Sequence, residues 1–285
     1  MSLGVLNNIS AIYAQNNLNQ TQASLQNTLT QLSSGSRINS GADDAAGLAL
    51  ADGLHANVAA LTQSAQNASA GVGLLQTADG ALAQVTNLLT RAITLATEAG
   101  NGTLNAGQIS SADQEYQNIL NEIDNIGKNT NYNGNQIFTG TAVNIVVSDG
   151  TNGGTTTFQE TVGALAKATV GTDSTGGTVD LTTNPALTAA SATGATGILA
   201  QLTTAVADVA FQRGTIGANI NQLNAAANVA NTQSVNLSSA ENNIRATNYG
   251  QATSDMAKYK VLSETGIAAL SQANAVQQDV LKLLQ

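Results

Sequence analysis

Leu18, Leu25, Leu29 and Leu32 follow one another at steps of 7, 4 and 3, the spacing that lays an apolar seam along one side of a helix. At the far end of the chain Leu262, Gly266, Ala269, Ala273, Val276, Val280 and Leu283 repeat the pattern in alternating steps of 4 and 3. Neither narrow stripe can be buried by its own helix. The two ends of the chain are therefore expected to pack on each other, so that everything between them starts and finishes near one junction. The apolar residues available suit this plan. Hydrophobic residues make up 42% of the 285, but only 3% are aromatic and none is Trp, so Ala, Leu, Val and Ile dominate. Small aliphatic side chains build thin helix seams better than broad cores.

Between the ends the helical text continues. Residues 40–128 read as two helices: one carries a seam through Leu82, Val85, Leu88, Leu89, Ile93 and Leu95 and stops at Gly100-Asn101-Gly102. The next is expected to be capped at Ser110-Ser111-Ala112-Asp113, to show the face Tyr116, Ile119, Leu120, Ile123 and Ile126, and to end at Gly127. About 195–240 reads helical through Leu199, Leu202, Val206, Val209, Ile216, Ile220 and Leu223, with Gly214 and Gly217 expected to permit close helix contact. From about 138 to 192 the composition turns to Thr, Gly, Asp and Asn. Asn144–Val147 and Thr155–Phe158, flanking Asp149–Gly154, predict a β-hairpin; Thr169-Val170 and Thr178–Leu181 predict short strands, and Pro185 the return to helix. The fold class expected is mainly α: a long antiparallel helical hairpin or coiled-coil bundle formed by the N- and C-terminal regions, with a small β-hairpin insertion.

Several functions are disfavoured. With no Cys there is no disulfide framework, thiol nucleophile or Cys-ligated metal, and with a single His there is no H-E-x-x-H type zinc helix. The net charge of −9, from 9 basic and 18 acidic residues, opposes nucleic-acid binding. No stretch reaches the roughly 20 apolar residues that span a bilayer. The opening Met1–Asn8 lacks a basic region and a long apolar run, so no cleaved secretory signal is expected. Asp43-Asp44 is the nearest approach to a carboxylate pair, but adjacent helical side chains diverge by about 100° and do not converge on a substrate. The two acids suit a helix N-terminus. His55 reads as a solvated or hydrogen-bonded helix histidine, and the lone Gly71-Val72-Gly73 as a close-packing site, not a phosphate cradle. No catalytic, cofactor or metal residue is assigned, and no cofactor is expected.

The segment Leu32-Ser33-Ser34-Gly35-Ser36-Arg37-Ile38-Asn39-Ser40-Gly41-Ala42-Asp43-Asp44-Ala45-Ala46-Gly47 resembles the signature of the bacterial flagellins. Gln76–Leu82, Leu120–Asp124 with Asn131–Gly134, and the closing run Ser263–Gln285 are similar to the same family in order and spacing. The resemblance covers roughly 1–138 and 195–285 and omits the middle. It implies a short form without the large outer domains of longer members. There are departures: Ala246 and Asn248 stand where relatives have aspartates, and Ile93 and Thr94 where they often have Arg and Glu.

This resemblance implies a structural subunit, not an enzyme, that self-assembles into the helical filament of the bacterial flagellum and serves motility. Residues 1–42 with 245–285 would form an inner coiled-coil domain, its seam including Leu18, Leu25, Leu29, Leu32, Leu262, Val276, Val280 and Leu283. Residues 43–244 would form the outer helical domain with the insertion at about 138–192. Arg37, Asp43 and Asp44 are domain-junction candidates, with Arg37 expected in a salt bridge within or between subunits. The implied partners are further copies of the chain in a homopolymer, the flagellar cap and hook-associated proteins, and an export chaperone on the C-terminal region. Vertebrate innate immune receptors are implied as well, with contact candidates Arg91, Leu95 and Glu115. The chain would be secreted without a cleaved signal peptide into the extracellular filament, and no nucleic acid or membrane is involved. The alternative is a hook-filament junction protein of the same architecture.

Overall fold

Asn8 opens the first helix by accepting a hydrogen bond from the Ala11 N–H at 2.9 Å, and Gly35, at φ 70°, closes it in the left-handed conformation that favours glycine. This helix is α1 (Ile9–Ser34); it is followed by α2 (Ala45–Gly100), α3 (Ala106–Asn129), α4 (Ile198–Arg245) and α5 (Tyr249–Leu283). Four short strands lie between α3 and α4: β1 (Asn131–Tyr132), β2 (Asn135–Gln136), β3 (Ala142–Val146) and β4 (Thr157–Thr161). The structure is a computed structural model describing residues 8–150, 156–183, 186–188, 191 and 197–283, without the side chains of 277 and 279–283. Pro185, the loop residues 151–154 and Thr155 lie outside the described residues. The chain divides into two compact units, 1–56 with 235–285, and 57–234.

In the first unit α1 and α5 run antiparallel. Asn8 donates from its amide to the Ala273 carbonyl at 3.0 Å, while at the other end a Cβ on Gly35 would lie 2.7 Å from the Tyr249 hydroxyl. The less exposed positions of α1 include Ala11, Ala14, Leu18, Thr21, Leu25, Thr28 and Leu32, in steps of 3 and 4, with Ser24 and Gln31 beside them; those of α5 include Ala252, Met256, Tyr259, Ser263, Gly266, Leu270 and Ala273, with Asp255 and Ala275 beside them. The heptad logic holds, but its register is corrected at three residues. Leu29, Leu262 and Val276 were expected in the seam and are 48%, 43% and 46% exposed. The physical reason is close approach: Thr, Ser, Ala and Gly fill more than half the seam, and a Cβ on Gly266 would stand 3.2 Å from Leu18. Val280 and Leu283 lie outside the described side chains.

In the second unit α2 and α4 are antiparallel, as the pairs Thr62–Ser234 and Asp79–Arg213 show, and α3 shares their core. Leu75, Leu82, Val85 and Leu89 of α2, Tyr116 and Ile123 of α3, and Ile198, Leu202, Val209, Ile216 and Leu223 of α4 are buried together. The helix expected to start at Ser110 starts at Ala106, because Asn105 and Gln108 form a reciprocal capping box: each side chain satisfies the other's backbone N–H. The helix expected to end near 240 continues to Arg245. Gly214 and Gly217 meet nothing within 4 Å where a Cβ would stand, so they permit no close contact inside this chain.

The insertion hairpin pairs β3 with β4, Asn144 opposite Gln159, so each strand is displaced from its predicted position by about two residues. The two predicted short strands reduce to isolated bridges, Val170 to Val179 between them and Thr169 back to Ala166. A hairpin not predicted, β1–β2, turns on Asn133 and Gly134 at φ 51° and 81°. Both hairpins bear on glycines of α2: a Cβ on Gly71 would meet the Ile145 side chain at 2.4 Å, and one on Gly73 the Tyr132 hydroxyl at 3.1 Å. The close-packing reading of Gly71-Val72-Gly73 follows from these contacts. Ser64 and Asn67 of α2 also donate to the carbonyls of Ser148 and Val146, at 2.8 and 3.2 Å.

Candidate functional site

The antiparallel α1–α5 pair leaves apolar side chains on its outside. Ile12, Tyr13 and Leu29 of α1, and Val261, Leu262, Ile267 and Val276 of α5, are all more than two-fifths exposed. A two-helix seam is only one row wide, so the surplus apolar rows beside it have no partner within the pair. Full burial of a large apolar side chain is worth about 1.5–3 kcal/mol, and these, already about half buried, have roughly half of that, about 1 kcal/mol each, still to gain. These rows, set on helices with few charges, make a surface that favours association with another apolar helix face.

The connection between α1 and α2 is held by backbone as much as by charge. Ser36 pairs with Ala246 as an isolated bridge, the Arg37 N–H donates to the Arg245 carbonyl at 2.6 Å, and the Thr247 N–H donates to the Gly35 carbonyl at 3.0 Å. The Arg37 guanidinium donates to the Ile244 carbonyl at 2.7 Å. Within the chain it therefore meets the C-terminal end of α4, where unpaired carbonyls and the helix dipole favour a cation, and not the expected carboxylate. Asp43 accepts from the N–H groups of Asn39 and Ser40 and from the Ser40 hydroxyl, at 2.9 to 3.1 Å. Those bonds, the Asn39 N–H foremost, hold its carboxyl below the usual aspartate value. Asp44 accepts from the Gly47 N–H at 2.8 Å and so satisfies a free donor at the start of α2. A Cβ on Gly47 would collide with Asp44 and with Ile38, at 2.4 and 2.9 Å.

His55 faces Glu241 at 3.3 Å, and Glu241 also lies 3.7 Å from Arg245, which reaches Asp52 at 3.4 Å. This is a surface network that links α2 to α4. Among the described residues no group of three or more His, Cys, Asp and Glu side chains is placed to hold a metal ion. No described helix is long and apolar enough to cross a membrane.

In the second unit Arg91 and Glu115 form a bidentate pair at 2.7 and 3.0 Å, the guanidinium fork matching the carboxylate. The hydrogen bond from Arg91 holds the Glu115 carboxyl below its usual value. Leu95 is corrected as a contact residue: it is 2% exposed, inside the core that holds Leu89, Ile198 and Leu202. Of the three residues that the resemblance groups together, Arg91 and Glu115 alone offer side chains to the outside. Arg213 and Asp79 make a second two-point pair, at 2.7 and 3.3 Å, that pattern reading passed over. Its residues are 134 apart and no local spacing signals it.

Residues 5–143 match the family model described as the bacterial flagellin N-terminal helical region, and 199–284 that of the bacterial flagellin C-terminal helical region. Flagellin 1 of Proteus mirabilis is 41% identical over 145 residues; that match takes in 51% of this chain and 40% of the relative's length. Full-length similarity is found elsewhere. Flagellin of Bacillus subtilis (strain 168) is 31% identical over 300 residues, with 98% of each chain covered. The flagellar filament 33 kDa core protein of Treponema phagedenis is 30% identical over 284 residues, again with 98% of each covered. With both helical regions matched and whole-length relatives on either side of the insertion, the chain belongs to the bacterial flagellin family.

Proposed function

We propose that this chain is a structural subunit that self-assembles into the helical filament of the bacterial flagellum, outside the cell, and serves motility. The observation that carries the reading is the pair of apolar rows left exposed beside the α1–α5 seam, at Leu29, Leu262 and Val276. A seam of one row offsets little of the ordering entropy of two long helices. Burial of the outer rows by neighbouring subunits supplies the rest, so folding of the terminal pair and association are coupled. Repeated heterologous contacts of this kind give an open helical array and no closed oligomer.

In this reading residues 1–42 and 245–285 form the inner domain of the filament and 43–244 the outer one, with Arg37, Asp43 and Asp44 setting the connection between them. Copies of the same chain are the main partner. The cap and hook-associated proteins meet the same end surfaces, an export chaperone covers the C-terminal helix before secretion without a cleaved signal, and Arg91 with Glu115 offers the exposed polar patch available to innate receptors. The chain performs no reaction. Seeded polymerisation tests the proposal: full-length protein should elongate fragments of its own filament, followed by light scattering and electron microscopy. Chains lacking α1 or α5 should not. Elongation that survives both deletions overturns the reading.

A further inference from the structure

Three Asn-Gly dipeptides occur in the chain, at Asn101, Asn133 and Asn152, the last outside the described residues. Glycine has no Cβ, so its backbone nitrogen can approach the preceding asparagine side chain with little hindrance. The two described pairs are held very differently. Asn133 and Gly134 are the two-residue loop of a hairpin, closed by the pairing of Tyr132 with Asn135. Tyr132 is further fixed against α2 at Gly73. Turning the Gly134 nitrogen toward the Asn133 amide requires this loop to unwind. Asn101 instead follows the last residue of α2, is exposed, and is tied through its N–H to the Glu98 carbonyl at 3.2 Å. Residues 102–104 belong to no helix or strand before Asn105 caps α3. Nothing lies within 4 Å of where a Cβ would stand on Gly102 or on Gly134, so space is open at both sites and what separates them is the backbone pairing that holds Asn133 alone.

We infer that Asn101 is a site of spontaneous covalent modification, where the chain deamidates through a cyclic imide, and that its hairpin protects Asn133. The Gly102 nitrogen, having given its proton to solvent base, attacks Cγ of Asn101. The new N–Cγ bond forms, the Cγ–Nδ2 bond breaks, and the amide nitrogen takes protons from solvent and leaves as ammonia. Water then adds to one of the two imide carbonyls and opens the ring to aspartate or isoaspartate. In sum an amide and a water become a carboxylic acid and ammonia, with no change in oxidation state. Each conversion adds a negative charge at the C-terminal end of α2, where the helix dipole and Glu98 both oppose it. The α2–α3 turn therefore loosens as the molecule ages.

The test uses purified full-length protein incubated in mildly alkaline buffer and digested with trypsin, since cleavage after Arg91 and Lys128 isolates Asn101 from the other two Asn-Gly pairs. Mass spectrometry then follows the acid form at each site. In the folded protein Asn101 should convert at least about tenfold faster than Asn133, where reaction waits for local opening. In urea the two rates should converge. Equal rates in the folded protein, a faster Asn133, or no acid at Asn101 while the urea control converts would each overturn the proposal.

Discussion

Alanine introduced separately at Gly127 and at Gly80 makes a matched pair of substitutions with opposite expected signs. Both glycines lie inside helices, α3 and α2, in the 57–234 unit. Each replacement gains about 1 kcal/mol of helix propensity. At Gly80 nothing stands within 4 Å of the new Cβ, so the whole gain is kept. At Gly127 the new Cβ would lie 1.8 Å from the Leu165 carbonyl oxygen and 2.8 Å from its carbon. A carbon and a carbonyl oxygen ordinarily sit about 3.3–3.6 Å apart, so the Leu165 backbone must withdraw by well over an ångström. It is poorly free to do so. Leu165 is buried, the Ala166 N–H donates to the Thr169 carbonyl at 3.2 Å, and the Lys167 carbonyl accepts from Leu181 at 3.0 Å. Overpacking costs about 1–3 kcal/mol and more against rigid neighbours, so Gly127→Ala should be destabilising by about 1–2 kcal/mol net. For a domain of about 150–250 residues each kcal/mol moves Tm by about 2–4 °C. Thermal unfolding followed by far-UV circular dichroism should show Gly80→Ala above the parent and Gly127→Ala below it. A Gly127→Ala protein as stable as the parent would refute the claim that the insertion packs backbone against α3.

Burial, against the opposing hydrogen bond from Asn219, raises the carboxyl of Glu160, which is only 4% exposed. The folded state then binds this proton more tightly than the unfolded one, so stability rises as pH falls through the raised value toward the usual glutamate range; Glu160→Gln should raise Tm at neutral pH and flatten that rise in a Tm-against-pH series. Asp43 has the opposite sign: its carboxyl is lowered, so what it contributes to the α1–α2 connection is present above the usual aspartate value and is lost as pH falls through the lowered one, which hydrogen exchange of the Asn39 and Ser40 amides should report. Asn105→Ala removes the capping box and should cost about 0.5–2 kcal/mol in urea denaturation. Leu29→Asn should leave the helix content unchanged yet raise the concentration needed for seeded elongation about fivefold, the effect of losing about 1 kcal/mol of burial per contact.

Pattern reading recovered the helices and the meeting of the chain ends, because steps of 3 and 4 align side chains on one face of a helix and on no face of a strand. It could not choose between adjoining rows of one helix. In α1 the row Leu18, Leu25, Leu32 is inside and Leu29, four residues from one and three from the other, is outside. What places the seam is the small residues interleaved with that row, Thr21 and Thr28, together with Gly266 on the facing helix, and small residues carry no apolar signal. The same blindness misplaced alternate positions of the α5 seam by one residue, Leu262 and Ala269 giving way to Ser263 and Leu270, while Gly266 and Ala273 stay in it. A hydrophobic count assigns the largest side chains to the interface that can be seen, whereas a subunit with a second interface sends some of them elsewhere.

Site residues were legible to the extent that backbone decides them. Asp44 at the start of α2 follows from the need of free N–H groups for an acceptor, which Asp, Asn, Ser or Thr can supply, as Asn8 and Asn105 do at the starts of α1 and α3. Arg37 and Leu95 depend on contacts that no local spacing encodes. Arg37 finds the end of α4, 207 residues away, and takes a carbonyl where an acid seemed the natural partner. Leu95 lies one helical turn from Arg91, yet the core closes over it and leaves Arg91 with Glu115 at the surface. A residue at the margin of an apolar stripe belongs to whichever side the neighbouring helix reaches. The length and placement of that neighbour, here α4 beginning at Ile198, decide which side chains remain available to anything that binds from outside.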